Sequence, residues 1–441
     1  MVLGAFCALV TLLKPPPDEP GADTLLTCSE AHVRTIGQHR DEIAALVAPV
    51  LSGRRRSGLE ARVVDDLATG AGAGRGRRVL GRAVVAPVPL PPFDNSQMDG
   101  FAVRAADAGR TLGVVAPIPA GAVPPALEPG TAAPIMTGAR IPLGADAVFP
   151  VEATAVGAFP AALALDQVTV PDDLAAGTFV RATGTDLPSG GELAPAGAPV
   201  TPALLGTLAA AGVTTIDLVR PLRVLVVSTG SELQGAGEAT IGDANGIALR
   251  AALAEVGVVS RSVRVPDDDT TFVAALDAAV GDWADLVLTT GGISAGAYEV
   301  VRQALEPRGL AVTPVAMQPG GPQAFGTVEL AGRPVPVVSF PGNPVSALVS
   351  FEVFLRPLLA ADAGLPDDRV AEVLPAADTA TSPEGKHQVR RGRVEDGRVH
   401  FVGGPSSHLL AHYATATHLV HVPIGTATVE PGDPLTVWSL R

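Results

Sequence analysis

From Pro221 onward, short unbroken apolar runs alternate with helical stripes, and this alternation constrains the fold more than any other property of the 441-residue chain. Arg223–Val227, Asp285–Thr289 and Val335–Phe340 read as buried strands, because each is apolar at nearly every position and too short for a helix. Asn245–Val256, Gly296–Leu305 and Val345–Leu359 read as the helices that follow. Strand followed by helix, three times over, predicts an open α/β sheet with mostly parallel strands.

In such a sheet ligands lie beyond the carboxyl ends of the strands, where loops turn into helices and free N–H groups face outward. Three loops have that position: Ser228-Thr229-Gly230-Ser231-Glu232, Thr290-Gly291-Gly292-Ile293-Ser294-Ala295-Gly296, and Phe340-Pro341-Gly342-Asn343-Pro344-Val345-Ser346-Ala347. Their glycines let the backbone approach a ligand, and Pro344 at a helix start gives up no hydrogen bond. One Gly-Gly pair is an ordinary turn. Three such loops at equivalent places in one sheet form an expected anion site. Carboxylates supply the second ingredient: Asp243 before a helix, the triplet Asp267-Asp268-Asp269, and Glu299 in the helix after the second loop. A hard cation such as Mg²⁺ takes one or two carboxylates plus phosphate oxygens and water. An acidic triplet has a plainer reading as a solvated helix start.

Upstream, Ile43, Leu46, Val47 and Val50 recur at helical spacing and predict a helix over Ile36–Leu51. Residues 52–80, with Arg54-Arg55-Arg56 and Arg75-Gly76-Arg77-Arg78, read as a solvated connector. Between 99 and 180 short alternating segments split by Gly and Pro predict a small β domain of barrel type. Beyond Leu365 short strands return, the last at Leu435–Leu440. With this length and 47% hydrophobic residues, the chain is expected to fold as a multi-domain α/β protein.

A formal net charge of −14 excludes sequence-independent nucleic-acid binding as an expected function. An anionic ligand must then be held locally, by amides, helix ends or a metal. Cys7 and Cys28 alone make neither a disulfide framework nor a zinc set. Met1–Leu13 is apolar but lacks a basic leader and meets Pro15-Pro16-Pro17, and no later stretch reaches ~18 uninterrupted apolar residues. A cytoplasmic protein without a membrane partner is expected, with residues 1–35 as a disordered extension.

Asp94-Asn95-Ser96-Gln97-Met98-Asp99-Gly100-Phe101-Ala102-Val103 resembles the D-N-S-x-M-D-G-[YF]-A-V signature of the MoeA/gephyrin family. The resemblance continues through Ile135-Met136-Thr137-Gly138-Ala139, Gly144-Ala145-Asp146-Ala147-Val148 and the three loops, covering about residues 36–441. It implies four domains: a mixed α+β linker (36–98 plus 180–218), a small β domain (99–179), an α/β domain of molybdopterin-binding type (219–362) and a C-terminal β domain (363–441). It implies a homodimer, in which Asp99 and Thr137 approach the partner's α/β loops, and contacts with other molybdenum-cofactor proteins and molybdoenzymes. Chemically it implies insertion of molybdate into adenylylated molybdopterin with release of AMP, supported by Mg²⁺.

Carried over residue by residue, the family's pterin and phosphate contacts fall on Thr229, Gly230, Glu232, Asp243, Asn245, Gly291, Gly292, Ser294, Gly296, Pro341, Gly342, Asn343, Pro344 and Ser346. The cation or molybdate carboxylates fall on Asp267 or Asp268 and on Glu299, and Arg390 or Arg391 with Ser407 resembles the molybdate end of the cleft. The chain departs from the family where a K-P-G-K-P stretch reads Gln318-Pro319-Gly320-Gly321-Pro322, where a further lysine is Pro314, and where a G-E-D turn reads Gly184-Thr185-Asp186. Loss of these ammonium groups should weaken anion binding or shift it onto Arg and backbone amides. It also opens a second expectation, a non-catalytic molybdopterin or cofactor carrier. A scaffold role lacks a receptor-facing extension, another nucleotide enzyme lacks its G-x-x-x-x-G-K-[ST] loop, and His408 beside Ser407 reads as a surface turn pair.

Overall fold

The computed structural model describes residues 33–68, 78–230, 241–265, 269–293, 299–365, 369 and 371–440. Glu232, Asp267, Asp268, Ser294, Gly296, Arg75–Arg77 and residues 1–32 lie outside the described residues.

Six strands build the central sheet: β1 (Arg223–Thr229), β2 (Val259–Val265), β3 (Leu286–Thr290), β4 (Ala311–Pro314), β5 (Pro322–Leu330) and β6 (Arg333–Phe340). Their spatial order is β2-β1-β3-β6-β5-β4. The first four are parallel neighbours, whereas β5 and β4 run antiparallel at the far edge. The chain steps from β1 to β2 on one side and returns to β3 on the other. The strand order therefore reverses between β1 and β3, and a crevice opens there at the carboxyl ends.

Helices cover both faces, which is why β1, β3 and β6 are apolar at successive positions. Val224, Val226, Leu286, Leu288, Val338 and Phe340 point to one side, where α1 (Ile36–Ser57), α2 (Ala244–Glu255) and α5 (Pro344–Asp362) pack through Ile43, Val47, Leu249, Leu253, Val349 and Phe351. Leu225, Val227, Val287, Val335 and Val337 point to the other, against α3 (Asp269–Val280) and α4 (Val300–Leu305). Among the described residues only α5 is long and apolar enough to cross a membrane, and 78% of its apolar window is buried inside the protein, as suits a core helix.

Helix α1 is capped by Thr35 and Gln38, which bond each other's backbone reciprocally, and it runs six residues past the expected Leu51. The arginines after Leu51 are thus no solvated connector. Arg54 is 8% exposed and pairs with Asp362 at the end of α5, while Arg55 reaches the same carboxylate at 3.0 Å. A carboxylate at that depth holds the cations in place, since burying an unpaired charge is costly. Residues 59–63 then form a strand on 215–219, so the connector reading fails there too. Among the described residues helix α4 begins at Val300, and Glu299, expected inside the helix, stands just before it.

Between these parts, residues 84–85 pair with 192–194 and 95–96 with 180–181, so chain segments far apart in sequence share a second core around Leu80, Leu208, Ile216 and Leu218. The intervening short strands form a five-stranded sheet around Phe101, Leu112, Phe149 and Val168. Its path is open, where a barrel was expected. Near the end of the chain, His387–Glu395, His418–Val422, Pro434–Ser439 and Ala371–Pro375 form another sheet. Its outer strand is Met317–Gln318, which departs from the α/β part and pairs in parallel with residues 387–388. That pairing carries Gln318 to a seam between the two sheets.

Candidate functional site

The ends of β1, β3 and β6 open into one cleft of about 830 Å³. Its walls are Thr229, Gly230 and Ile241–Asn245 after β1, Thr290–Ile293 and Glu299 after β3, and Pro341–Pro344 with Ser346 after β6. Gln318, Pro319, Gly320 and Pro322 close one side, and Pro405–Ser407 come from the C-terminal sheet region. This volume suits a ligand of cofactor size.

Two loops touch backbone to backbone. Gly291 (φ +86°) and Gly292 (φ +66°) both occupy the left-handed region, and a Cβ on Gly342 would sit 3.2 Å from the Gly291 Cα. Side chains at these positions would strain the turn and push the loops apart. The Gly291 N–H is already used, donating to Phe340 O at 3.1 Å, and that of Val345 donates to Ser407 O at 3.2 Å. The N–H groups of Gly292, Asn343 and Ser346 have no partner among the described residues. These are the donors a phosphate or oxoanion would meet at the start of α5.

Asp243 is the N-cap of α2: its Oδ1 accepts from Gly246 N at 2.8 Å and from Ser228 Oγ at 2.9 Å, and the residue is 6% exposed. It shapes the cleft floor by fixing α2 to the end of β1. Two residues on, Asn245 Nδ2 donates to Gly342 O at 2.7 Å, which ties the first loop to the third. Its Oδ1 is shielded and has no partner among the described residues. A buried acceptor of this kind is costly until a ligand donor meets it.

The C-terminal wall is held from behind. Arg391, 2% exposed, donates to Ser406 O at 3.1 Å, to Val402 O at 3.4 Å and also to Gly404 O. Burial lowers its pKa, and three carbonyl acceptors compensate the desolvated guanidinium. The Ser406 Oγ pairs with His408 Nδ1 at 2.7 Å.

Of the residues expected from the sequence, the cleft brings together Thr229, Gly230, Asp243, Asn245, Gly291, Gly292, Glu299, Pro341, Gly342, Asn343, Pro344, Ser346 and Ser407. Glu232, Asp267, Asp268, Ser294 and Gly296 lie outside the described residues. Asp99 and Thr137 are not in the cleft wall but do meet: Asp99 Oδ1 accepts from Thr137 N at 2.7 Å and Oγ1 at 2.9 Å. Arg390 is not in the wall either. It is 7% exposed, lies over the Phe401 ring at 4.6 Å, and donates to Gly403 O at 3.1 Å. Sequence reasoning missed Ile241, Pro405 and Ser406, which carry no pattern of their own, and the bracing role of Arg391.

Comparison with known proteins agrees with this geometry. Residues 36–212 match the family model "MoeA N-terminal region (domain I and II)", and residues 225–361 match "Probable molybdopterin binding domain". Molybdopterin molybdenumtransferase 2 of Mycobacterium tuberculosis is 44% identical over 387 residues, covering 82% of this chain and 92% of the relative. Molybdopterin molybdenumtransferase of Synechococcus elongatus is 34% identical over 83% of this chain and 92% of its own length. A solved molybdopterin biosynthesis MoeA protein from Pyrococcus horikosii superposes with a TM-score of 0.73 at 25% identity, covering 93% of this chain and 99% of that one. The loops that meet at the switch point of the sheet are thus set in a chain that belongs to the MoeA family, the molybdopterin molybdenumtransferases of molybdenum cofactor biosynthesis.

Proposed function

We propose that this protein is a molybdopterin molybdenumtransferase that inserts molybdate into adenylylated molybdopterin and releases AMP. The observation that carries the reading is the convergence of three strand-end loops on one cleft. The unpaired N–H groups of Gly292, Asn343 and Ser346 bind phosphate oxygens, and Asn245 Oδ1 accepts from a pterin N–H. Neutral donors suffice because they are fixed before the ligand arrives and are partly shielded from water.

Mg²⁺ fits this donor set. No group of three His, Cys, Asp or Glu occurs among the described residues, and Glu299 stands in the cleft wall. An ion held by one or two carboxylates, water and substrate phosphate needs no more. Glu299, with Asp267 or Asp268, would hold it, and when bound it neutralises phosphate charge. In our reading the protein is a cytoplasmic homodimer of four-domain subunits, with Asp99 and Thr137 facing the partner's cleft.

One observation favours a second reading, a carrier that binds the pterin without turnover: no lysine or arginine lines the cleft among the described residues. AMP release separates the two. Purified protein with adenylylated molybdopterin, molybdate and Mg²⁺ is expected to release AMP, and Asp268→Ala to lose turnover while keeping its fold. Tight pterin binding with no AMP under any divalent cation would select the carrier.

A further inference from the structure

Gln318 stands in the cleft wall with one end of its amide already committed. Its Oε1 accepts from Gln388 Nε2 at 2.7 Å. The two residues face each other because Met317–Gln318 runs parallel to His387–Glu395, with Gln318 opposite Gln388. Gln388 is 2% exposed, so its amide finds partners in the protein and not in bulk water.

The orientation of Gln388 is in turn dictated. Arg390 Nη1 faces Gln388 Oε1 at 3.5 Å, the long end of hydrogen bonding, but with a full positive charge behind it. A guanidinium has five donors and no acceptor, so an amide beside it turns its oxygen inward and its NH₂ away. Arg390 is itself fixed by Gly403 O and the Phe401 ring. Polarity therefore passes along the chain of side chains: Arg390 orients Gln388, Gln388 takes the Gln318 oxygen, and the Gln318 NH₂ is left for the cleft. The Gln318 Nε2 has no partner among the described residues.

We propose that Gln318 is a specificity-determining contact that donates to an oxoanion oxygen, and that Gln388 and Arg390 are positioning residues that decide which end of its amide the cleft presents. This rests on the function proposed above, which makes the oxoanion molybdate. The buried charge of Arg390 thereby acts on the ligand through two neutral amides. A wall of this polarity favours ligand acceptors and opposes ligand donors.

The test uses the full chain with Gln388→Glu, Gln388→Leu, Gln318→Leu and the double variant Gln318→Leu/Gln388→Glu. The introduced carboxylate still accepts from Arg390 but cannot donate, so Gln318 must turn its NH₂ inward and show oxygen to the cleft. Gln388→Leu only frees the amide to rotate. With sodium molybdate titrated by calorimetry, Kd should rise about tenfold or more in Gln388→Glu and about threefold in Gln388→Leu, the scale of one hydrogen bond to a charged group. The double variant should be no weaker than Gln318→Leu alone. Thermal melts confirm that each variant is folded, and in turnover the KM for molybdate should rise more than kcat falls. Equal affinity in wild type and Gln388→Glu, or no molybdate binding by wild type, overturns the proposal. Wild type that binds molybdate yet releases no AMP removes the transferase reading, while the order of the two Gln388 variants still decides this one.

Discussion

At the scale of single residues, the cleft depends on side chains that spend their polar groups on its own loops. Asp243 joins Ser228 at the end of β1 to Gly246 in α2 through one oxygen. Removing it leaves a buried hydroxyl unpaired and a helix uncapped. Asp243→Ala should cost about 1–2 kcal/mol in urea unfolding, the usual cost of a lost N-cap, with weaker pterin binding. Asp243→Asn keeps an oxygen for Gly246 and should recover most of the stability. A variant as stable as wild type would mean the cap is not what holds α2. The sequence showed an acidic residue two positions before Asn245, which was enough to place it at the site but not to reveal that its oxygen faces inward. Arg390 and Arg391 illustrate the opposite limit. Adjacent residues in a strand point to opposite faces, so a one-residue ambiguity in sequence becomes a choice between two sides of a sheet. In the structure neither enters the cleft: Arg391 braces the 404–406 turn and Arg390 sits beside Gln388.

Among the elements, buried strands and glycine-bearing loops were legible because burial on both faces leaves an unmistakable apolar run. The strands beyond that pattern were not. β2 is exposed along much of its length at the sheet edge, and β4 and β5 run antiparallel outside the alternation. Helix α1 shows why the arginine run misled: charge argues for solvent until a partner is known, and Asp362 lies 308 residues away in sequence. A second partner hidden from the sequence is His39. It is fully buried on α1, packed edge-on against Phe325 and Phe354, and both ring nitrogens lack partners among the described residues. Burial lowers its pKa from 6.5 to about 4, and the charge of Arg34 adds to the effect. The unfolded chain therefore holds a proton that the folded chain does not between those values. Stability from this residue is full above pH 6.5 and is lost as pH falls towards 4, with a slope up to about 1.4 kcal/mol per pH unit. His387 follows the same direction, with a pKa of about 4. In urea melts, wild type should weaken between pH 7 and pH 5, and His39→Leu should weaken less. Parallel loss in both proteins would contradict the assignment.

Across the whole molecule, one hydrophobic core runs from α1 through the central sheet to Val389 and Leu419 of the C-terminal sheet. That continuity lets Pro405–Ser407 serve as a wall of a cleft whose floor is 60 to 180 residues away in sequence. On the proposed function, backbone amides at the carboxyl ends of β1, β3 and β6 bind a phosphorylated pterin. A crystal structure of the protein soaked with adenylylated molybdopterin tests it most directly. Phosphate oxygens are expected within hydrogen-bond reach of the Asn343 and Ser346 N–H groups, and a pterin N–H on Asn245 Oδ1. Ordered ligand elsewhere, for example in the apolar groove between Val63–Ala68 and Val200–Thr214, with the strand-end cleft empty, would contradict it.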